Sequence, residues 1–291
     1  MANITAALVK ELREITGAGM MECKKALVEV EGEIEKAVDV LRSKGLAAAA
    51  KKAGRATNEG RVTALVCAGD PKKGAVAEIN CETDFVAIND KFAEYCDTFT
   101  RAIVMNNPAD VDALLESEYK DEKVSDILTD AIHVIGENMK IARFERLEVE
   151  GTGALVSYVH MNGKIGVLVA FSCEDEATTT KDEFQAMGKD VAMQIAATNP
   201  VALDEASVPA DVAAHELEIY KAQAAESGKP ENIQQKIAEG RMKKFYKESC
   251  LTQQDFVKDP DMTVEQYVNK CAKEMGDKIK IVEFARMALG E

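Results

Sequence analysis

Apolar positions recur every three to four residues at the start of the chain, which is the spacing of one buried helical face. Leu8, Val9, Leu12 and Ile15 follow Thr5, a suitable N-cap, and Thr16-Gly-Ala-Gly19 ends the run. Residues 21–30 give a second helix; Glu31-Gly32 separates a third carrying Ile34, Ala37, Val38 and Leu41, and Ser43-Lys-Gly45 is expected to close the bundle. The Ala-, Lys- and Gly-containing stretch 46–60 has little to bury and reads as a linker. A core of about 45 residues is near the lower limit for independent stability.

The period then changes from helical to that of strands. Residues 61–66 and 75–80 flank Gly69-Asp-Pro-Lys-Lys-Gly74 as a hairpin would, and residues 154–159 and 165–171 do the same around Met161-Asn-Gly163. Helices are expected near 90–105 and 110–139, and again near 181–198 and 264–276. Strands and helices in blocks, without βαβ alternation, predict an α+β fold with antiparallel sheets.

These two blocks are copies of each other. At an offset of 92, Gly74 matches Gly166, Cys81 matches Cys173, Asp90 matches Asp182, Phe92 matches Phe184, Ile103 matches Ile195, and Asn107-Pro108 matches Asn199-Pro200. A second match, Gly136-Glu-Asn-Met-Lys-Ile-Ala-Arg-Phe against Gly276-Asp-Lys-Ile-Lys-Ile-Val-Glu-Phe, runs at an offset of 140. Copy two therefore carries 48 extra residues between Pro200 and Gly276. Ser207-Val-Pro209 supplies a cap-like serine and an early proline there. Val212, Leu217, Ile219, Tyr220 and Ala224 follow as a loose stripe, and Ser227-Gly-Lys-Pro230 breaks it before Ile233, Ile237 and Phe245. The insertion, about residues 203–246, is a helical hairpin, either an outer brace or an arm toward a partner.

One position inside the repeat frame does not match. Asp84 falls opposite Glu176, but Phe85 falls opposite Ala177, so the scaffold can be built with a methyl group where copy one carries a ring. Phe85 has a role beyond packing.

Composition narrows the function. The chain has 291 residues, 46% of them hydrophobic, and six prolines, as in a folded protein with ample core and about two domains. No apolar run approaches the roughly 20 residues of a membrane span, and the N-terminus has no basic region followed by an apolar block, so a cytoplasmic protein without membrane association is expected. Net charge is −15. Residues 1–55 hold ten Lys and Arg against eight Asp and Glu, which leaves 26 against 43, or −17, for the remainder. An acidic body argues against direct nucleic-acid binding, and the N-terminal part, with Lys24, Lys25, Lys51 and Lys52, is the section fit to meet an acidic partner.

Catalytic chemistry is hard to find. Seven cysteines include no Cys-x-x-Cys pair and the three histidines have no metal-ligand spacing, so reduced structural thiols are expected, without metal or cofactor. Neither Gly54 and Gly60 nor Gly17-Ala-Gly19 makes a phosphate loop or dinucleotide fingerprint. No enzymatic activity is expected.

Five stretches carry a resemblance to a known family. They are Ile4-Thr-Ala-Ala-Leu-Val-Lys-Glu-Leu-Arg-Glu with Thr16-Gly-Ala-Gly-Met-Met-Glu-Cys-Lys-Lys-Ala-Leu27, then Asn80-Cys-Glu-Thr-Asp-Phe-Val-Ala87, Ile165-Gly-Val-Leu-Val169 and Glu239-Gly-Arg-Met-Lys-Lys-Phe245. In order and spacing the chain resembles the elongation factor Ts family, guanine-nucleotide exchange factors for the translational GTPase elongation factor Tu. The resemblance implies a ubiquitin-associated-like (UBA-like) three-helix docking domain (1–55), a first core subdomain (56–147), and a second (148–291) with a coiled-coil insertion. It implies that Thr83, Asp84, Phe85 and Val86 disturb the magnesium site of the partner. Met20, Met21 and Lys24 would dock on its nucleotide domain, and Ile135, Gly136 and His160 would make further core contacts. The partner would be elongation factor Tu, GDP-bound or nucleotide-free, in a 1:1 or 2:2 complex; an adaptor that binds a GTPase without exchange is the alternative. Many members continue past the position of Leu289-Gly-Glu291 into a short C-terminal segment, and contacts made there are not carried over.

Overall fold

The computed structural model describes residues 4–16, 18–226 and 228–291. Gly17 of the expected first helix stop, Ser227 of the expected break in the insertion, and residues 1–3 lie outside the described residues.

Three helices open the chain: α1 (Ala6–Thr16), α2 (Met20–Glu29) and α3 (Ile34–Lys52). Thr5 caps α1, its hydroxyl accepting from Leu8 N at 3.2 Å. Leu12, Cys23, Ala26, Leu27, Ala37 and Leu41 fill the bundle, whereas Ile15, expected on the buried stripe, is exposed. The main departure is in α3, which does not stop at Ser43-Lys-Gly45 and leaves no linker from residue 46; it runs on through Gly45 to Lys52. Gly45 is buried because it faces the core: a Cβ there would lie 3.5 Å from the Cβ of His133. The run Ala47-Ala-Ala-Ala50 favours helix, and Ala49 packs against the core cluster, so the segment does have something to bury.

The first repeat follows as β1 (Glu59–Cys67), β2 (Asp70–Cys81), α4 (Asp84–Ala87), α5 (Asp90–Asn106), α6 (Val111–Glu116), β3 (Glu118–Tyr119), β4 (Glu122–Lys123), α7 (Val124–Ile135) and β5 (Met139–Glu148). The second consists of β6 (Gly153–His160), β7 (Ile165–Ser172), α8 (Asp182–Thr198), α9 (Ala210–Ala225), α10 (Glu231–Ser249), β8 (Asp255–Phe256), β9 (Asp259–Thr263), α11 (Val264–Met275) and β10 (Lys280–Ala288). Strand order is β1-β2-β5 in one sheet and β10-β7-β6 in the other, all antiparallel. This is the expected α+β class.

The duplication holds in detail. Helices α5 and α8 each have 17 residues and end on a left-handed asparagine, Asn107 or Asn199. The pairs β3–β4 and β8–β9 each lead directly into a helix that ends on a left-handed glycine, Gly136 or Gly276. Three local expectations fail. The turn between β1 and β2 is shorter than 69–74: Cys67 pairs with Asp70, and Pro71 sits near the strand start, where its missing N–H is tolerated. The helix expected over 110–139 is interrupted by β3 and β4, whose turn holds Lys120 and Asp121 at positive φ. In the insertion, Ser207 does not cap α9; its side chain closes a capping box with Asp204, and Pro209 occupies the N-cap position.

The sheets pack face to face through Val62, Val76, Leu147, Leu155, Leu168 and Met287. Helices α5 and α7 cover the outside of one sheet around Phe92, Phe99 and Ile103, and α8 and α11 cover the other around Phe184, Val191 and Val268. The matched glycines 74 and 166 lie where the sheets meet: a Cβ on Gly166 would approach Val62 Cγ1 to 2.6 Å, and one on Gly74 would approach Leu155 Cδ1 to 3.0 Å. The chain end is tied across the sandwich, with Gly290 N donating to Glu78 at 3.1 Å and Arg143 to Ala288 O at 2.9 Å.

Candidate functional site

Strand β2 delivers the chain to Cys81, and the following residues are too few to hold a helix by themselves, since α4 has only four. They are held from outside. Glu137, just beyond Gly136, accepts from Glu82 N at 3.1 Å and Thr83 N at 3.0 Å through Oε2, and from the Thr83 hydroxyl at 2.6 Å through Oε1. Glu82 reciprocates, its carboxylate accepting from Asn138 N at 2.6 Å and lying 3.4 Å from Arg55. Gly136 makes the approach possible: at φ +87° it turns the chain out of α7 and back toward α4.

Thr83 is the N-cap of α4, accepting from Val86 N at 3.4 Å. Asp84 is exposed, and its carboxylate accepts from Phe85 N at 3.0 Å. Ala87 and Val86 pack on the core below. Phe85 is left 80% exposed and Ile88 71% exposed, an apolar pair presented to solvent at the tip of a braced turn. Ile88 was not singled out in the sequence.

Copy two repeats the brace without the ring. Asp277 accepts from Glu174 N at 3.0 Å and Asp175 N at 3.2 Å, Asp175 caps the 3-10 turn Glu176–Thr180, and exposed Ala177 stands opposite Phe85 in the repeat frame.

The other sequence-selected residues lie along a connected path. Ile135 is half-buried at the end of α7, next to Gly136 and the Glu137 brace. On α2, Met20 and Met21 are 50% and 63% exposed and Lys24 is exposed. The same helix sends Glu22 to within 3.5 Å of His133 Nε2, two residues before Ile135, and Lys52 of α3 donates to Ile132 O at 3.2 Å. His160 ends β6 and is exposed, its Nδ1 2.8 Å from the Tyr158 hydroxyl. Its turn is joined to β1 by the Gly163 carbonyl, which accepts from Val62 N at 2.7 Å, and by Lys164 with Glu59 at 3.2 Å; Glu59 pairs with Cys81, where the braced turn begins.

The thiols beside the two braced turns are not activated. Burial pushes the Cys81 thiol up to about 12, with Glu137 adding to the effect, and burial raises that of Cys173 as well, the opposite of a reactive thiolate. Among the described residues no group of three His, Cys, Asp or Glu side chains could hold a metal ion, and no helix is long and apolar enough to cross a membrane.

A sequence profile described as elongation factor Ts matches residues 82–291. Over 291 residues, 99% of this chain and 93% of the relative in each case, the chain is 50% identical to a protein named elongation factor Ts from Clostridium novyi (strain NT) and 48% identical to one of that name from Trichlorobacter lovleyi. A third of the same name, from Clostridium kluyveri, is 49% identical over the same span. The chain belongs to the elongation factor Ts family. The profile begins at Glu82, so the brace, the exposed Phe85, Ile135, Gly136 and His160 all lie within it. Met20, Met21 and Lys24 precede that region, and the alignments to elongation factor Ts relatives cover them, since those span 99% of the chain.

Proposed function

We propose that this chain is a guanine-nucleotide exchange factor for elongation factor Tu, binding its GDP-bound or nucleotide-free form and promoting GDP release without covalent chemistry. Family membership supports the exchange role. The observation that carries the mechanism is Phe85, 80% exposed on a turn braced by Glu137, where the duplicate turn has Ala177. A ring held out in water on a rigid support is suited to enter another protein.

Magnesium requires near-octahedral oxygen coordination at close distance, so moving a ligand-bearing element of the GTPase by about an ångström is enough to damage the site. Burying one aromatic side chain supplies roughly 1.5–3 kcal/mol toward the displaced state. At 1.4 kcal/mol per decade that is about tenfold to a hundredfold in nucleotide affinity. Thr83 and Val86 hold the ring's helix, and Asp84 sits beside it. Met20, Met21 and Lys24 form the docking face on α2, and Ile135, Gly136 and His160 extend the contact along the core. Linkage makes the effect reciprocal: a factor that weakens GDP binding is itself weakened by incoming nucleotide to the same degree.

Stopped-flow release of labelled GDP from elongation factor Tu tests this reading. Catalytic amounts of the protein are expected to accelerate release. Phe85→Ala is expected to slow it most at high magnesium, with chelation of the metal narrowing the gap. Binding without acceleration would make the protein an adaptor instead.

A further inference from the structure

We propose that Glu137 is the positioning residue of the exchange site, the group that makes Phe85 stiff enough to act. The inference rests on the reading of Phe85 as a wedge, and it assigns a role to a side chain that need not touch the partner.

A wedge displaces what it meets only if its own support yields less. The support here is weak by itself, because four residues make no self-sustaining helix. The stiffness comes from one carboxylate. Glu137 accepts two backbone N–H groups and one hydroxyl from the two residues just before α4. An ionised carboxylate has acceptor sites only and can take all three donors at once, with the added strength of a charged acceptor. Glutamine reproduces this only in part: its carbonyl can take the two backbone N–H groups, but it lacks the charge, and its amide nitrogen has to reverse the hydrogen bond with the Thr83 hydroxyl. Thr83 converts the restraint into helix geometry: the hydroxyl that donates to Glu137 also accepts from Val86 N, so one contact fixes both the entry to α4 and its first turn.

The duplication separates this role from plain structure. Asp277 occupies the position matching Glu137 at the 140-residue offset and holds the matching backbone groups of Glu174 and Asp175. The local fold therefore uses a carboxylate clamp in both copies, but only copy one loads the clamp with an exposed ring. Removing either clamp frees comparable backbone groups. Only removal of the first should reach exchange.

The experiment compares full-length Glu137→Gln, Glu137→Asp, Asp277→Asn, Phe85→Ala and the double variant Phe85→Ala/Glu137→Gln. GDP release from elongation factor Tu is measured across a range of factor concentrations, with thermal melting and amide exchange on the free factors. Glu137→Gln is expected to lower the maximal release rate by about tenfold, the order of one lost charge-assisted hydrogen bond, with the half-saturating concentration held within about twofold. Amide protection should fall at Glu82, Thr83 and Val86. Asp277→Asn should lose protection at Glu174 and Asp175 and exchange at the normal rate, and Glu137→Asp should recover part of the loss. The double variant should be no slower than Phe85→Ala, since both changes remove the same action. Equal slowing by Glu137→Gln and Asp277→Asn, a loss expressed only in the half-saturating concentration, or additive losses in the double variant would overturn the proposal. Slow Phe85→Ala beside unaffected Glu137→Gln overturns the positioning role alone; full-rate Phe85→Ala overturns the wedge reading and this one with it.

Discussion

Phe85 and Phe92 lie seven residues apart and have opposite environments. Phe92, matched in the second repeat by Phe184, is fully buried under α5, whereas Phe85 is 80% exposed. Truncating Phe92 leaves a cavity, and Phe92→Ala is expected to cost ~3–5 kcal/mol. Phe85→Ala removes a ring with few protein neighbours and is expected to change stability by less than about 0.5 kcal/mol. Denaturant unfolding of both variants checks the contrast; a loss above 2 kcal/mol at Phe85 would mean that the ring packs on its own protein. This difference was legible before the fold was known, because the repeat frame sets Phe92 against Phe184 but Phe85 against Ala177. The support under Phe85 was not legible. Thr83 and Glu137 meet across 54 residues through a hydrogen bond, which no local period reports. The Glu137/Asp277 match stood in the 140-residue frame, but an acidic pair in a chain of 51 acidic residues carries no label.

At the scale of elements, helix existence followed from the apolar period, and the largest error fell where tertiary contact overrode local punctuation. Ser43-Lys-Gly45 has the composition of a helix stop, yet the glycine is interior and its bare Cα is where α3 meets His133 of α7. The positive-φ turn at Lys120 and Asp121 was hidden for the converse reason: neither residue is glycine or asparagine, so nothing in the composition marked it. The α3–α7 contact is further tied by Arg42 with Asp126. A sequence-based boundary at residue 46 would have cut through this joint. Gly45 also permits a direct test. A methyl group there would meet His133 Cβ at 3.5 Å, an ordinary contact, while removing the entropic penalty of a glycine inside a helix. Gly45→Ala is therefore expected to stabilise the protein by roughly 0.5–1 kcal/mol and raise the melting temperature by about 1–3 °C. Gly45→Leu has to displace the imidazole and should lower it. A destabilising Gly45→Ala would show that the contact has no room for one carbon.

For the whole molecule, two helix-covered sheets packed on each other form a body that copy one completes with the short α6 where copy two inserts α9 and α10. The 48-residue jump between offsets puts that insertion at about 203–246, and the helices there span Ala210–Ala225 and Glu231–Ser249. The chain leaves and returns side by side: Val201 N donates to Ser249 O at 2.8 Å, Leu251 N to Ala202 O at 2.9 Å, and Thr252 N to Leu203 O at 3.0 Å. Beyond this stalk the hairpin buries mainly small residues, Ala224 and Ala238 with Met242, and its base rests on a separate cluster of Ala202, Val208 and Cys250. The core of copy two, around Phe184, Val191, Leu251 and Val264, closes without it. Below the stalk, buried Gln194 and Gln254 bond to each other at 3.0 Å, and Gln254 donates to Glu248 O at 2.8 Å, fixing the root of α10 to α8. Replacing residues 205–248 with a short Gly/Ser linker is therefore expected to keep one cooperative thermal transition. Loss of the small cluster and the Glu248 contact should lower its midpoint by only a few degrees, at roughly 2 °C per kcal/mol for a chain of this size. Affinity for elongation factor Tu and the oligomeric state, measured on the same variant, then report what the arm does. Disappearance of the cooperative transition would show that the hairpin is part of the core, and the reading of it as an appended arm would fall.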